Sequence, residues 1–208
     1  GQKHSITFSV HARCQANINT PEGRDDVLRS IEFAKDIGAT LVNVYYHGDQ
    51  GPEGFAASLW PLVEAAVPAN IRISVENTVF TGPDELNQLF AALDVTDWCR
   101  PGVVGVCYDM GHANLCAATR YDYVGFLKRL SPGIPVIHLH VHENWGDGDS
   151  HLPLFTGPAA QDDTGVRTML SLLKERGFDG LIIMEQWPQP AEQLIHTRSR
   201  LRDLLRSV

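Results

Sequence analysis

Six short segments of this chain end in a residue type that can hold a metal ion or move a proton. They are ITFSVH at His11, LVNVYYH at His47, RISVE at Glu76, VVGVCYD at Asp109, VIHLH at His140 and LIIME at Glu185. Three further residues of the same kind, His112, Asp149 and His151, lie just beyond these ends. Imidazoles and carboxylates without thiolate suit a divalent ion such as Zn²⁺, Mn²⁺, Co²⁺ or Fe²⁺, and spacing does not choose among them. An ion held this way polarises a carbonyl or phosphoryl oxygen and acidifies what is bound to it. Two glutamates from separate segments, Glu76 and Glu185, are suited to take up a proton on one side of a substrate and return one on the other.

Residues placed like this need strands that deliver one ligand each at their C-terminal ends, as in a parallel (β/α) barrel. Alternation supports that geometry, because every second residue of a barrel strand faces inward. Counting back by twos from the candidate ligands gives Ser9 and Thr7, Tyr45 and Asn43, Ser74 and Arg72, Cys107 and Gly105, and His138. The opposite parity carries Val10 and Phe8, Val44 and Val42, Val75 and Ile73, Val106 and Val104, and Leu139 and Ile137, which suits packing against helices. LIIM is apolar on both parities.

Between the strands, periodicity predicts helices over 21–38, 54–66, 83–94, 113–130, 162–177 and 191–208. Gly38 is a natural C-cap, Pro61 is expected to split or kink the second helix, and the fourth contains one irregular turn. Strand then helix, six times over, reads as a parallel α/β fold in one domain spanning residues 1–208. The longest irregular stretch, about 144–162, carries Asp149 and His151, and loops of that length are usually functional.

The chain has 208 residues, 43% hydrophobic and 20% charged, with a formal net charge of -8 and no Lys/Arg-rich run. That balance argues against a nucleic-acid partner, whose phosphates need clustered cations. No apolar stretch reaches the roughly 20 residues that span a bilayer. The four cysteines, Cys14, Cys99, Cys107 and Cys116, show no paired spacing, so reduced thiols and a cytoplasmic location are expected and a zinc–thiolate site is not.

The pieces SVENT, YDMGHANL, HLHVHENWGDGDSHLPL and IIMEQ resemble the xylose isomerase-like TIM barrels, a group of sugar-phosphate isomerases and epimerases, inosose dehydratases and endonuclease IV. The resemblance implies that Glu76, Asp109, His140 and Glu185 are core metal ligands, with Glu76 and Glu185 catalytic. It also matches His11, His47, His112, Asp149 and His151 to the additional ligands of the endonuclease zinc cluster, so between one and three ions are expected. Members of the group usually have two further βα units before the strand that ends like His11, and these are not visible here. If they are missing, exposed strand and helix surface favours a homo-oligomer or another chain that completes the barrel.

Two activities follow. A mononuclear centre fits an isomerase or epimerase of a small sugar or sugar phosphate, by proton transfer between the two glutamates. A two- or three-zinc centre fits an endonuclease IV-like phosphoesterase. The longer endonuclease signatures are not reproduced around YDMGHANLCAATRYD and GDSHLPLFTGP, which places the isomerase first. His142 and Trp145 are candidate substrate contacts, His138 an interior hydrogen-bonding residue, Asn77 a support for the site, and Arg72 a partner for an interior carboxylate. His4 and His196 read as surface residues.

Overall fold

The structure is a computed structural model, and it describes residues 6–94 and 102–208. Cys99 and His4 lie outside the described residues.

Six parallel strands form one sheet in sequence order. They are β1 (Ser9–His11), β2 (Leu41–Tyr45), β3 (Arg72–Glu76), β4 (Val104–Asp109), β5 (Val136–Val141) and β6 (Leu181–Met184). Helices alternate with them: α1 (Pro21–Ile37), α2 (Gly51–Ala66), α3 (Pro83–Asp94), α4 (Met110–Leu115), α5 (Tyr123–Arg129), α6 (Thr164–Glu175) and α7 (Ala191–Ser207). This is a nearly closed TIM-type (β/α) barrel. Among the described residues no ladder joins β1 to β6. Around that gap Ile6, Trp187 and Ile195 are exposed, and every residue of β6 is only half-buried. Among the described residues, β1 and β6 are therefore the two edges of the sheet.

The helices form for local reasons and then pack. Thr20 caps α1 by accepting a hydrogen bond from the Gly23 amide, Pro21 opens the helix, and Gly38 ends it at φ 69°. Its buried face, Val27, Ile31 and Ala34, rests on the sheet side that carries Val42, Val44, Ile73 and Val75. α2 begins three residues earlier than the periodicity predicts and runs through Pro61 unbroken. An internal proline costs about 3 kcal/mol; burial of Phe55, Leu59, Leu62 and Val63 keeps the helix continuous. The predicted 113–130 helix is in fact two short helices, α4 and α5, separated by residues 116–122. Tyr121 in that break has φ 64°, a conformation no α-helix holds.

The outward face of the sheet and the helices share one apolar core. The inward face differs: Asn43, Ser74, Glu76, Cys107, Asp109, His138 and His140 are all buried there. Arg72, expected to pair with an interior carboxylate, does not. It starts β3 at the far end of the barrel, so its Nε donates to the Gly102 carbonyl (2.9 Å) and Nη1 lies 3.7 Å from the exposed Asp179.

Candidate metal centre

Strand register stacks the inward groups. Tyr45 pairs with Glu76, Glu76 with Cys107, and Asp109 with His140. β3 ends on Glu76 and β4 on Asp109, β5 carries His140 one residue before its end, and Glu185 follows β6 directly. One oxygen or nitrogen from each of Glu76, Asp109, His140 and Glu185 lies within 4.8 Å of the others. His140 Nδ1 is 3.3 Å from Glu76 Oε1, 3.6 Å from Asp109 Oδ2 and 2.9 Å from Glu185 Oε2. Yet Glu76 Oε1, His140 Nδ1 and Glu185 Oε2 are buried without any hydrogen-bond partner of proper geometry. Buried polar atoms that converge without bonding one another are costly unless a cation joins them. The donor set therefore fits a divalent ion.

The other oxygen of Glu76 is occupied. Oε2 accepts from Asn43 Nδ2 and from His11 Nε2 at 3.0 Å. Asn43 Oδ1 in turn accepts from the Ser74 hydroxyl at 2.5 Å. Glu76 is thus held on one side and left open on the side that faces His140. Burial would raise its pKa, but the charge of His140, the hydrogen bond from His11 and the close approach of His112 hold it below the ordinary carboxylate range. Asp109 is lowered likewise, its burial overcome by the charges of His112 and His142.

A second group lies beside the first. His112, His142, Asp149 and His151 each offer a ligand atom within 4.8 Å of the others. His112 Nδ1 donates to the Asn77 carbonyl (2.9 Å) and its Nε2 faces Asp149 Oδ2 at 3.3 Å. His151 Nδ1 donates to the Glu185 carbonyl (2.7 Å) and its Nε2 faces the same Asp149 Oδ2 at 3.2 Å. His11 repeats the arrangement, with Nδ1 donating to the Ala12 carbonyl at 2.6 Å and Nε2 on Glu76. A histidine whose Nδ1–H is spent on a carbonyl, with Nε2 turned to a carboxylate, needs a proton or a metal ion between them. In the protein without metal that proton is held. Burial would lower the His112 pKa, but Asp109, Asp149 and Glu76 raise it to about 12. The hydrogen bond to Asp149 raises His151 to about 9. His151 sits at φ 45°, a left-handed conformation costing roughly 1–2 kcal/mol. Strain at a residue aimed into a site is characteristic of functional positions.

The remaining candidates divide. His142 is fully buried, with Nε2 3.1 Å from both oxygens of Asp109 and its ring stacked on His151 at 4.0 Å. Asn77 and Asp109 exchange two hydrogen bonds of 2.9 Å through the Asn77 side chain and the Asp109 backbone, so Asn77 fixes the end of β4. His138 contacts Ser74 Oγ at 3.5 Å and is held neutral by burial, its pKa lowered to about 3. His47 stands outside both groups and lines an open cavity of about 750 Å³ at the barrel mouth with Tyr45, Phe80, His112 and Asp149. Trp145 is 52% exposed and lies in the loop that carries Asp149. His196 is exposed, and Cys14, Cys107 and Cys116 are free thiols.

Sequence reading missed two supports. Asn43, which orients Glu76, was legible only as an inward polar residue. Glu143 clamps the 144–162 loop by accepting from the amides of Thr156, Gly157 and Ala159 at 3.1, 3.2 and 2.6 Å, and no pattern marks it.

Fold and site together define a (β/α)-barrel protein with side chains able to ligate a metal at the C-terminal ends of its strands. The profile of the xylose isomerase-like TIM barrel family matches residues 2–204, and the chain belongs to that family. The uncharacterized protein MJ1311 of Methanocaldococcus jannaschii is 32% identical over 135 residues, covering 62% of this chain and 41% of its own length. The chain spans less than half the length of the curated relatives it matches. A solved D-tagatose 3-epimerase-like protein superposes with TM-score 0.75 at 22% identity, covering 100% of this chain and 80% of its own. The TTHB071 protein from Thermus thermophilus, soaked with ZnCl2, gives TM-score 0.68 at 19% identity, covering 97% and 80%. Other matched structures are an L-ribulose 3-epimerase and a D-psicose 3-epimerase.

Proposed function

We propose that this protein is a divalent-metal-dependent isomerase or epimerase of a small sugar or sugar phosphate. The observation that carries the reading is the convergence of Glu76, Asp109, His140 and Glu185 with three unpartnered ligand atoms among them. An ion bound there would polarise a substrate carbonyl and acidify the adjacent C–H. Glu76 and Glu185 flank that position from β3 and β6, one to remove a proton and the other to return it. Glu76 is held in one orientation by Asn43 and His11, while Glu185 is 28% exposed and faces the mouth. The superposition on sugar epimerases supports this chemistry.

Solvent deuterium tests it. During turnover in D₂O, deuterium is expected at the epimerised carbon of the product, and Glu185→Gln is expected to abolish turnover with the fold intact. Turnover without deuterium incorporation would reject proton transfer.

The second group favours a second reading, a phosphoesterase with two or three ions. His112, Asp149 and His151, joined by His142, are arranged as ligands of an ion of their own. Elemental analysis separates the two: two or three zinc per chain supports hydrolysis, one ion supports isomerisation.

A further inference from the structure

A cavity of about 380 Å³ opens between the α4–α5 break and the 144–162 loop, and its lining shares only His142 with the two ligand groups. Three aromatic residues line it, Tyr121, Tyr123 and Trp145, and two of them, Tyr121 and Trp145, are exposed. Its volume falls within the roughly 300–1,000 Å³ typical of small-molecule sites.

The cavity is built firmly. Asn144 donates to the Gly111 carbonyl (2.9 Å) and accepts from Asn114 (2.8 Å) and the Gly146 amide (3.0 Å), which ties the loop to α4. Tyr121, at φ 64°, packs so closely over Gly146 that a Cβ there would sit 2.0 Å from the tyrosine ring. Arg120, outside the lining, lies over the same ring and donates to the Gly146 carbonyl at 2.8 Å, so the ring is braced from outside the cavity.

The charge of the lining points to an occupant. Glu143 and Asp162 are its carboxylates, and no Lys or Arg joins them. Asp163, one residue further on, pairs with Arg167 and Arg200, but among the described residues neither Asp162 nor Glu143 has a cationic partner. Glu143 is buried, where a charge without a counter-charge is costly. Both carboxylates act on the wall: burial first, then the charges of Glu143 and Asp162, push the Tyr123 phenol up to about 12. Their oxygens are nevertheless largely spent. Glu143 accepts from three backbone amides, and Asp162 Oδ1 accepts from the Thr164 amide at 2.9 Å. A phosphate or carboxylate ligand would be repelled here. The lining suits positive charge spread over C–H surface, which aromatic faces attract and which brings no N–H donors to satisfy. We infer that this cavity is a second ligand site, apart from the metal centre, for a quaternary ammonium group seated against Tyr121, Tyr123 and Trp145 and balanced by Asp162 and Glu143.

The test is calorimetric titration of the purified protein with choline, beside dimethylbutanol, its uncharged isostere, and myo-inositol, a neutral polyol. Saturable choline binding is expected, about tenfold or more tighter than that of the isostere. Trp145→Ala and Tyr121→Ala, at exposed positions whose loss spares the core, are each expected to weaken it about tenfold. Asp162→Asn keeps an acceptor for the Thr164 amide, removes the charge and is expected to weaken binding as well. Metal-free carboxylates at the barrel mouth also draw cations, so Glu185→Gln serves as the control and is expected to leave choline affinity unchanged. No choline binding, equal affinity for choline and its isostere, binding of myo-inositol alone, affinity that survives both aromatic substitutions, or affinity lost in Glu185→Gln would overturn the inference.

Discussion

His112 Nε2 and Asp149 Oδ2 lie 3.3 Å apart, although one sits on a helix directly after β4 and the other in the long loop after β5. The contact joins the two ligand groups, because His112 Nδ1 is also 3.4 Å from Glu76 Oε1. The loop therefore folds onto the carboxylate centre, and a change at Asp149 reaches Glu76 through one imidazole. In metal-free protein, Asp149→Asn is expected to lower stability at neutral pH by about 1 kcal/mol, a small figure because the carboxylate is partly exposed. Histidine hydrogen bonds overcome its burial and depress the Asp149 pKa, so its contribution is present above the ordinary value of 3.8 and is lost as pH falls through the depressed one. Denaturant unfolding at several pH values checks this: the difference from wild type must shrink in acid.

Metal binding must displace protons. His112 and His151, raised to about 12 and about 9, are both protonated at pH 7 in the metal-free protein. Ligation needs the neutral imidazole, so affinity for a divalent ion at the second group is expected to rise from pH 6 to pH 9. Calorimetry in buffers of different ionisation enthalpy must show proton release on loading. Affinity independent of pH would contradict these histidines as ligands.

Gly111 lets His142 reach Asp109. A Cβ at that position would lie 2.0 Å from His142 Cε1. Gly111→Ala is expected to push the imidazole away and weaken metal affinity by about 10- to 100-fold, the usual effect of losing a ligand's supporting partner. Equilibrium dialysis against the metal measures it, and circular dichroism confirms that the barrel remains.

The core is separable from the site. Leu59 of α2 is fully buried away from every candidate ligand. Leu59→Ala is expected to cost about 2–5 kcal/mol of stability, read by denaturant unfolding, with metal stoichiometry unchanged.

Much of this arrangement was legible because barrel strands alternate. Inward polar or small residues behind Glu76, Asp109 and His140 marked the strands and their direction, and β3 and β4 end on the residues the pattern named. β2 stops at Tyr45, two residues short of His47, because the chain turns into a 3₁₀ segment at Gly48–Gln50. β6 gave no parity signal, since LIIM is apolar throughout. The α4–α5 break was underestimated because its cause, the left-handed Tyr121, has no glycine to announce it. Of the second group, His112, Asp149 and His151 were legible as candidate ligands, while His142 was read only as a substrate contact. Its assembly depends on Glu143 holding the loop through three backbone amides, which are far from it in sequence and carry no side-chain signature.

The central claim is that Glu76, Asp109, His140 and Glu185 hold a divalent ion. Dialysis of purified protein against Zn²⁺, Mn²⁺ and Co²⁺ in turn, followed by elemental analysis of wild type and Asp109→Ala, tests it most directly. The account predicts at least one tightly bound ion per wild-type chain. It also predicts one ion fewer in Asp109→Ala, with the circular dichroism spectrum preserved. Wild-type protein that binds none of the three metals, or a folded Asp109→Ala that binds as much as wild type, would contradict it.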